Sequence, residues 1–193
     1  MELPELDHRP IIVAIAGPNG AGKSTFFHTH ISFAGIRFIE PDALASELGA
    51  DAYTAAKMAD ALRHSLMCAR ESFAFETVFS DPVGDKLIFL KEAVRVGYTV
   101  VLCFIGLADS DLSETRVAMR VSQGGHDVPT EKVRSRFPRT MANLKAAISE
   151  LPIVYVFDNS DLRKSFRKIS VFKHGQQIFT DATPPEWFNI LLR

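Results

Sequence analysis

Short apolar runs alternate along this chain with longer segments in which apolar residues recur at helical spacing. The apolar runs cover residues 11–16, 35–39, 72–77, 98–107 and 152–157. The helical segments cover residues 24–33, 43–48, 51–70, 82–96, 110–121 and 130–151. Strands that alternate with helices are typical of a parallel sheet covered by helices on both faces. The pattern therefore predicts an α/β protein.

Several local signals refine this pattern. The run 98–107 is the most hydrophobic and is expected to be a central strand, buried on both faces. Asp51 is a plausible N-cap of the helix 51–70. Pro138 is expected to break the segment after Pro129 into two helices. Near the end of the chain, the runs 169–172 and 176–179 flank His174-Gly175 and predict a β-hairpin before a short terminal helix.

One glycine-rich segment fits the phosphate-binding pattern G-x-x-x-x-G-K-[ST]. It reads Gly17-Pro18-Asn19-Gly20-Ala21-Gly22-Lys23-Ser24-Thr25, and it lies between a predicted strand and a predicted helix, as the pattern requires. Its glycines allow backbone N–H groups to wrap a polyphosphate at the helix N-terminus. Lys23 is expected to reach the β and γ phosphates of ATP, and Ser24 to bind Mg²⁺. A simple turn opening a helix would not need the Lys and the Ser.

The predicted architecture is a single domain, residues 1–193, with a three-layer α/β fold that contains the P-loop. It has a central five-stranded parallel sheet, helices on both faces and a C-terminal hairpin. A length of 193 residues with 47% hydrophobic content suits one core. In such sheets, ligands bind at the carboxyl ends of the strands.

Composition excludes several classes of protein. A formal net charge of −1 argues against a protein that coats nucleic acid. Cys68 and Cys103 lie in apolar contexts without metal-ligand spacing, so both are expected to be reduced core residues. The N-terminus is unlike a signal peptide, and no apolar run approaches the ~20 residues of a membrane span. A cytoplasmic protein without a membrane partner is therefore expected.

Two acidic residues follow or end predicted strands, where an acceptor would bind. Asp42 could act as a general base that takes a hydroxyl proton, or it could be the N-cap of a helix beginning at Ala43. Glu76 could orient the acceptor or a water bound to Mg²⁺, or it could be a solvated residue at a strand end. The spacing alone leaves both pairs of alternatives open.

Arginines flank a glycine-hinged loop, and residues 122–140 are expected to form a mobile lid. Arg116 and Arg120 share a helix face that leads into it, while Arg134 and Arg136 lie beyond it. They could clamp the charge of the γ-phosphate, or they could form a solvated basic surface. His126, in the loop, could be a lid contact or only a turn residue.

Taken together, these motifs resemble the zeta toxin family, in particular its short, single-domain members. The resemblance covers about residues 10–160. Its most specific part is the arginine helix at 116–121 together with Gly124-Gly125-His126 and Val128-Pro129, after a strand that ends in Phe75-Glu76-Thr77. The matching segments are 17–25, 38–42, 73–77, 97–100, 116–121, 124–129 and 155–160.

The resemblance implies a kinase that uses ATP and Mg²⁺ to phosphorylate a sugar nucleotide such as UDP-N-acetylglucosamine. Asp42 matches the catalytic base of the family, and the segment with Glu76 and Thr77 matches residues that contact the acceptor. Family arginines that stabilise the transferring phosphate fall around Arg116 and Arg120. His126 and Arg136 are the lid candidates for substrate binding. The resemblance also suggests an antitoxin protein as a partner.

Two other functions remain open at this point. One is a P-loop ATPase that acts as a regulatory switch and hydrolyses ATP without an acceptor. The other is a nucleotide kinase or a kinase of nucleic-acid 5′ ends. The second of these would need a basic groove with aromatic residues, for which the sequence shows only the lid arginines.

Overall fold

A computed structural model describes residues 3–125 and 127–193 of the chain. Seven strands form one sheet in the order β2-β3-β1-β4-β5-β6-β7, and the first five of these in spatial order are parallel. The strands are β1 Ile11–Ala16, β2 Arg37–Ile39, β3 Phe73–Thr77, β4 Thr99–Gly106, β5 Ile153–Asp158, β6 Arg167–Lys173 and β7 Gln176–Thr180. The predicted α/β class is confirmed, with β4 at the centre of the sheet.

Seven α-helices connect or follow the strands. They are α1 Lys23–His30, α2 Pro41–Leu48, α3 Ala52–Cys68, α4 Asp85–Arg95, α5 Ser110–Ser122, α6 Thr130–Glu150 and α7 Glu186–Leu191. The side chain of Asp51 accepts hydrogen bonds from the backbone N–H groups of Tyr53 and Thr54, which confirms it as the N-cap of α3. None of the described helices is both long and apolar enough to cross a membrane.

Buried side chains lie on both faces of the sheet because the central strands are apolar at every position. On β1, Ile12 packs into a cluster with residues of α3, α4, α6 and α7. Its neighbour Val13 points to the opposite face and packs with residues of α1 and of the N-terminal segment. Successive side chains of a strand alternate between faces, so two continuous cores hold the sheet between two helical layers.

The sheet has seven strands, and the predicted count of five is wrong. The hairpin was expected to be separate, but β6 pairs antiparallel with β5, and β7 pairs antiparallel with β6. The backbone groups on the outer edge of β5 would otherwise lack partners, and a buried strand does not tolerate unpaired backbone groups. The hairpin therefore extends the sheet.

Two further expectations from the sequence are wrong. Pro138 does not divide the segment into two helices, because α6 continues through it as one helix. Buried Leu144 and a hydrogen bond of 2.8 Å from Thr140 Oγ1 to the carbonyl oxygen of Val78 hold α6 in place. These tertiary contacts outweigh the single backbone bond that a proline removes. Cys68 is exposed at the end of α3, whereas Cys103 is buried in β4 as expected.

Candidate active site

The glycine-rich segment forms a tight loop between β1 and α1 at the carboxyl edge of the sheet. Gly17 needs to be glycine, because a Cβ at this position would lie 2.2 Å from the carbonyl oxygen of Ile105 on β4. Gly22 has φ of +87° and precedes the first residue of α1, Lys23. The glycines thus let the loop pass close to β4 and turn into a helix whose N-terminus faces the cleft.

Neighbouring elements hold this loop in place with buried polar side chains that the sequence analysis did not single out. Ser113, on α5, donates from Oγ to the carbonyl oxygen of Asn19 at 2.6 Å. Asn159, just after β5, donates from Nδ2 to the carbonyl oxygen of Ala21 at 2.9 Å. Both side chains are fully or nearly fully buried. The loop is therefore pre-organised by the ends of α5 and β5.

Lys23 lies in the charged centre of the site. Its side chain is only 7% exposed, and Nζ donates to the carbonyl oxygen of Pro18 at 3.1 Å. Burial lowers the pKa of Lys23, while the nearby carboxylates of Glu76 and Asp42 oppose this shift. An ammonium has three donors, so the bond to Pro18 leaves others for phosphate oxygens.

Two carboxylates converge on the hydroxyl of Ser24. Its Oγ lies 2.5 Å from Oε1 of Glu40, at the end of β2, and 2.8 Å from Oε2 of Glu76, on β3. A serine hydroxyl has one proton, so it can donate to only one of the two. The alternative of Glu76 as an isolated solvated residue is wrong, because Glu76 is half-buried and contacts the P-loop.

These three oxygen-bearing side chains suit Mg²⁺. The ion prefers oxygen ligands, retains several waters, and is commonly held by one or two carboxylates together with substrate phosphates. A divalent cation would also balance the two like charges beside one hydroxyl. Ser24 was expected to bind the metal, whereas Glu40 was not anticipated as a member of this group. Its only signal was its position at the end of β2, two residues before Asp42.

Asp42 does not cap a helix. α2 begins at Pro41 with Glu40 at the N-cap position, and Asp42 lies in the first turn. Its Oδ2 is 3.8 Å from Nη1 of Arg120, and both side chains are partly exposed. The N-cap interpretation is therefore wrong, and Asp42 faces the same charged centre as Lys23, whose pKa it influences.

Arg116 and Arg120 both line the cleft above the loop. Arg116 donates from Nη2 to the carbonyl oxygen of Ser160 at 3.1 Å, and burial lowers its pKa while Asp158 opposes the shift. Arg120 packs against Gly125, where a Cβ would lie 2.5 Å from Arg120 Cγ. A backbone carbonyl thus holds the Arg116 guanidinium, and the aliphatic part of the Arg120 side chain lies against Gly125.

The P-loop opens into a cleft of about 630 Å³, which we call the P-loop cleft. Its polar lining includes Lys23, Ser24 and Glu76. Its apolar lining consists of Leu112, Met119, Leu162 and Phe166. A cleft that combines charged and apolar side chains suits a nucleotide, which has charged phosphates and a largely apolar base.

A second cavity of about 300 Å³, which we call the α3 pocket, adjoins the cleft at Glu76. Glu76 lines both cavities, and Thr77 lines the α3 pocket. The Thr77 side chain is held in place, since Oγ1 accepts a hydrogen bond from the backbone N–H of Phe79 at 3.0 Å. The other lining residues are Val78, just after β3, and residues on α3, at the start of α2 and at the start of α4.

Of the other lid candidates, Arg134 and Arg136 lie outside the lining of the P-loop cleft. Arg134 pairs with Glu114 of α5 at 2.9 Å and with Asp111 at 3.6 Å, outside the P-loop cleft. Arg136 lies on α6, half-buried, and is not among the described lining residues of either cavity. His126 lies outside the described residues. The lid over residues 122–140 and the roles of Arg136 and His126 stay predictions.

Several solved structures are similar to this chain in fold. A chain of "AvrRxo1-ORF1:-ORF2 with ATP" superposes with a TM-score of 0.70 at 16% identity, over 95% of this chain and 63% of that one. A chain of the PezAT chromosomal toxin-antitoxin system of Streptococcus pneumoniae superposes with 0.59 at 16% identity, over 94% and 77%. A putative kinase from Chloroflexus aurantiacus gives 0.52 at 20% identity, over 68% and 78%.

These likenesses confirm the predicted P-loop kinase-like fold. This chain spans only 63–65% of the length of the AvrRxo1 chains it resembles. No protein-family model matches the sequence. No curated protein matches it at a significant level.

Proposed function

We propose that this protein is a zeta-toxin-like kinase that transfers the γ-phosphoryl group of ATP to a hydroxyl group of a small molecule. The observation that carries the proposal is the meeting of two cavities at Glu76. One holds the P-loop, and the other offers a separate place for an acceptor. A regulatory ATPase would need only the first cavity.

The residues divide the work of phosphoryl transfer between binding and charge stabilisation. Backbone N–H groups of the loop and Lys23 bind the phosphates, and Arg116 and Arg120 offset negative charge on the moving group. Ser24, Glu40 and Glu76 would hold Mg²⁺, directly or through its waters. The ion, when bound, supplies charge neutralisation at the phosphate oxygens.

Asp42 is the general base of this proposal. The acceptor oxygen bonds to the γ-phosphorus, the bond from that phosphorus to the β,γ-bridging oxygen breaks, and ADP leaves. The hydroxyl proton passes to the Asp42 carboxylate and then to solvent. The half-exposed position of Asp42 permits that last transfer.

The acceptor and the partner belong to the proposal as well. The resemblance to zeta toxins suggests UDP-N-acetylglucosamine as the first acceptor to test. Two of the structures similar in fold are assemblies, the AvrRxo1-ORF1:-ORF2 complex and PezAT. By analogy, we include an antitoxin-like protein as a partner of this chain.

Acceptor-dependent turnover tests the kinase proposal. We expect release of ADP from ATP to rise at least about tenfold when the correct hydroxyl compound is added, because a kinase aligns an acceptor rather than water with the γ-phosphate. The assay compares ATP alone with UDP-sugars, simple sugars and their acids, and a nucleic-acid 5′ end. Turnover unaffected by any of them would favour the regulatory ATPase, and turnover raised only by the oligonucleotide would favour an end kinase.

Glu40→Gln tests the metal site by a measurement other than activity. Binding of Mn²⁺ should weaken by about 10- to 100-fold, as is typical when a group supporting a metal is lost. Electron paramagnetic resonance of the protein with Mn²⁺ and a non-hydrolysable ATP analogue would measure the dissociation constant. Glu47→Gln, on the exposed face of the same helix, is the matched control. Equal Mn²⁺ affinity in both variants would remove Glu40 from the site.

A further inference from the structure

The α3 pocket carries more positive than negative charge. Three cationic side chains line it: Lys57 and Arg63 from α3, and Lys86 from α4. The carboxylate of Asp60 pairs with two of these cations. Its Oδ1 accepts a hydrogen bond from Arg63 and another, at 3.0 Å, from Lys86. The other carboxylate, Glu76, is engaged with Ser24. The net charge of the lining residues is therefore positive, which favours an anionic ligand.

Arg63 is the least solvated of these cations. Its side chain is 3% exposed, and its guanidinium lies over the ring of Phe75, 4.9 Å from the centroid. Its Nε is buried and has no hydrogen-bond partner among the described residues. A buried guanidinium with five donors and one carboxylate partner has unused hydrogen-bonding capacity. An anion in the pocket would use that capacity.

Lys57 lies at the mouth of the same pocket. Its Nζ is 4.4 Å from the centroid of the Tyr53 ring, which also lines the pocket. No ion pair of Lys57 occurs in the described part of the chain, so its charge is available to a ligand. The spacing of Tyr53, Lys57, Asp60 and Arg63 places all four on one face of α3.

The pocket leads to the reacting centre. Glu76 lines both this pocket and the P-loop cleft, and Pro41, next to Asp42 in the chain, also lines the pocket. A ligand whose anion lies among the three cations would therefore extend toward the base and the γ-phosphate. The ligand would therefore have an acid group at the end that lies among the cations and a hydroxyl group at the end that faces Asp42.

We propose that the acceptor is a monosaccharide-sized hydroxyl compound with a phosphate or carboxylate group, bound by Lys57, Arg63 and Lys86. The inference rests on the proposed kinase activity and narrows only the acceptor. UDP-N-acetylglucosamine has more non-hydrogen atoms than ATP, yet the α3 pocket has about half the volume of the P-loop cleft that would hold ATP. A sugar phosphate or sugar acid suits the pocket better than a sugar nucleotide.

The test compares matched acceptors with the wild-type protein. N-acetylglucosamine, which is uncharged, N-acetylglucosamine 6-phosphate, gluconate and UDP-N-acetylglucosamine are each supplied with ATP, and kcat/KM is measured. We expect at least one of the two small acids to exceed the uncharged sugar by about 100-fold or more, because a site with buried polar groups rejects analogues that leave them unpaired. The phosphate and carboxylate arms show which anion is preferred.

Variants then locate the anion. Lys57→Met should raise KM for the small acid by about 10- to 100-fold with little change in kcat, the loss typical of one hydrogen bond to a charged group. Lys86→Met should act in the same way. Lys91→Met is the matched control, since Lys91 is also on α4 and pairs with Glu150 instead. Arg63→Met is a third variant of the pocket. Because Lys57 is exposed, Lys57→Met keeps the test valid if Arg63→Met fails to fold.

Several results would overturn the inference. These are equal use of charged and uncharged sugars, use of UDP-N-acetylglucosamine alone, or a KM unaffected by Lys57→Met and Lys86→Met. If no acceptor raises ATP turnover, the kinase proposal fails, and calorimetric binding of N-acetylglucosamine 6-phosphate with a non-hydrolysable ATP analogue tests the pocket separately. Binding to the wild type that is lost in Lys57→Met would support the anion site. Absence of binding to the wild type, or unchanged binding to Lys57→Met, would overturn it.

Discussion

Lys23→Ala should lower ATP turnover by about 10²- to 10³-fold, the loss typical when one pre-organised charge is removed from a water-poor active site. The side chain is buried beside the loop, with Nζ held 3.1 Å from the carbonyl oxygen of Pro18. This contact fixes the ammonium where the phosphates would bind, so little rearrangement is needed on binding. No other lysine among the described lining residues of the P-loop cleft can replace it.

The fold should survive this change, because the buried charge of Lys23 lowers rather than raises the stability of the folded protein near neutral pH. Burial lowers the pKa of Lys23, so the unfolded chain binds more protons than the folded protein at alkaline pH. The charged lysine therefore costs stability near neutral pH, and this cost disappears as the pH rises toward the ordinary lysine pKa of about 10.4.

Urea unfolding of both proteins at several pH values would measure this effect. The free energy of unfolding of the wild type, minus that of Lys23→Ala, should rise with pH through the alkaline range. Turnover of ATP is assayed on the same samples. A folded variant with undiminished turnover would contradict the P-loop assignment, whereas an unfolded variant would show that the lysine is structural.

The sequence predicted the P-loop unit well because its constraints are local. The strand, the glycines and the helix follow one another within residues 11–30, and Gly20 and Gly22 have positive φ angles, which glycine adopts readily. The hairpin was also predicted locally, but its pairing with β5 was not. Pairing of strands depends on which edges remain open after folding, and no short-range pattern encodes that.

The charged centre was only partly predicted, for the same reason. Lys23 and Ser24 belong to a motif, whereas Glu40 and Asn159 acquire their roles from elements far away in the chain. Glu40 reaches Ser24 because β2 pairs with β3, and Asn159 reaches Ala21 because β5 pairs with β4. The cations of the α3 pocket were missed because their helical spacing is equally typical of a solvated face.

Asp42→Asn should reduce phosphoryl transfer by about 10²- to 10⁴-fold, the usual contribution of a general base. Asparagine has nearly the same shape but cannot take up a hydroxyl proton. Because Asp42 lies in the first turn of α2, the change removes a favourable charge near a helix N-terminus, and it also removes the partly exposed ion pair with Arg120. Each of these interactions is typically worth about 1 kcal/mol or less, so the stability cost should be small.

Three measurements on Asp42→Asn separate its roles, since stability, nucleotide affinity and transfer depend on different contacts. Its melting temperature and its affinity for a non-hydrolysable ATP analogue should stay close to wild type, because the P-loop contacts of Lys23 and Ser24 are unchanged. Transfer alone should fall. Glu47→Asn, later on the same helix and exposed, is the control for loss of a surface charge. If Asp42→Asn transfers phosphate at a rate near that of the wild type, then Asp42 is not the base, and Glu76, which borders both cavities, is the next residue to test.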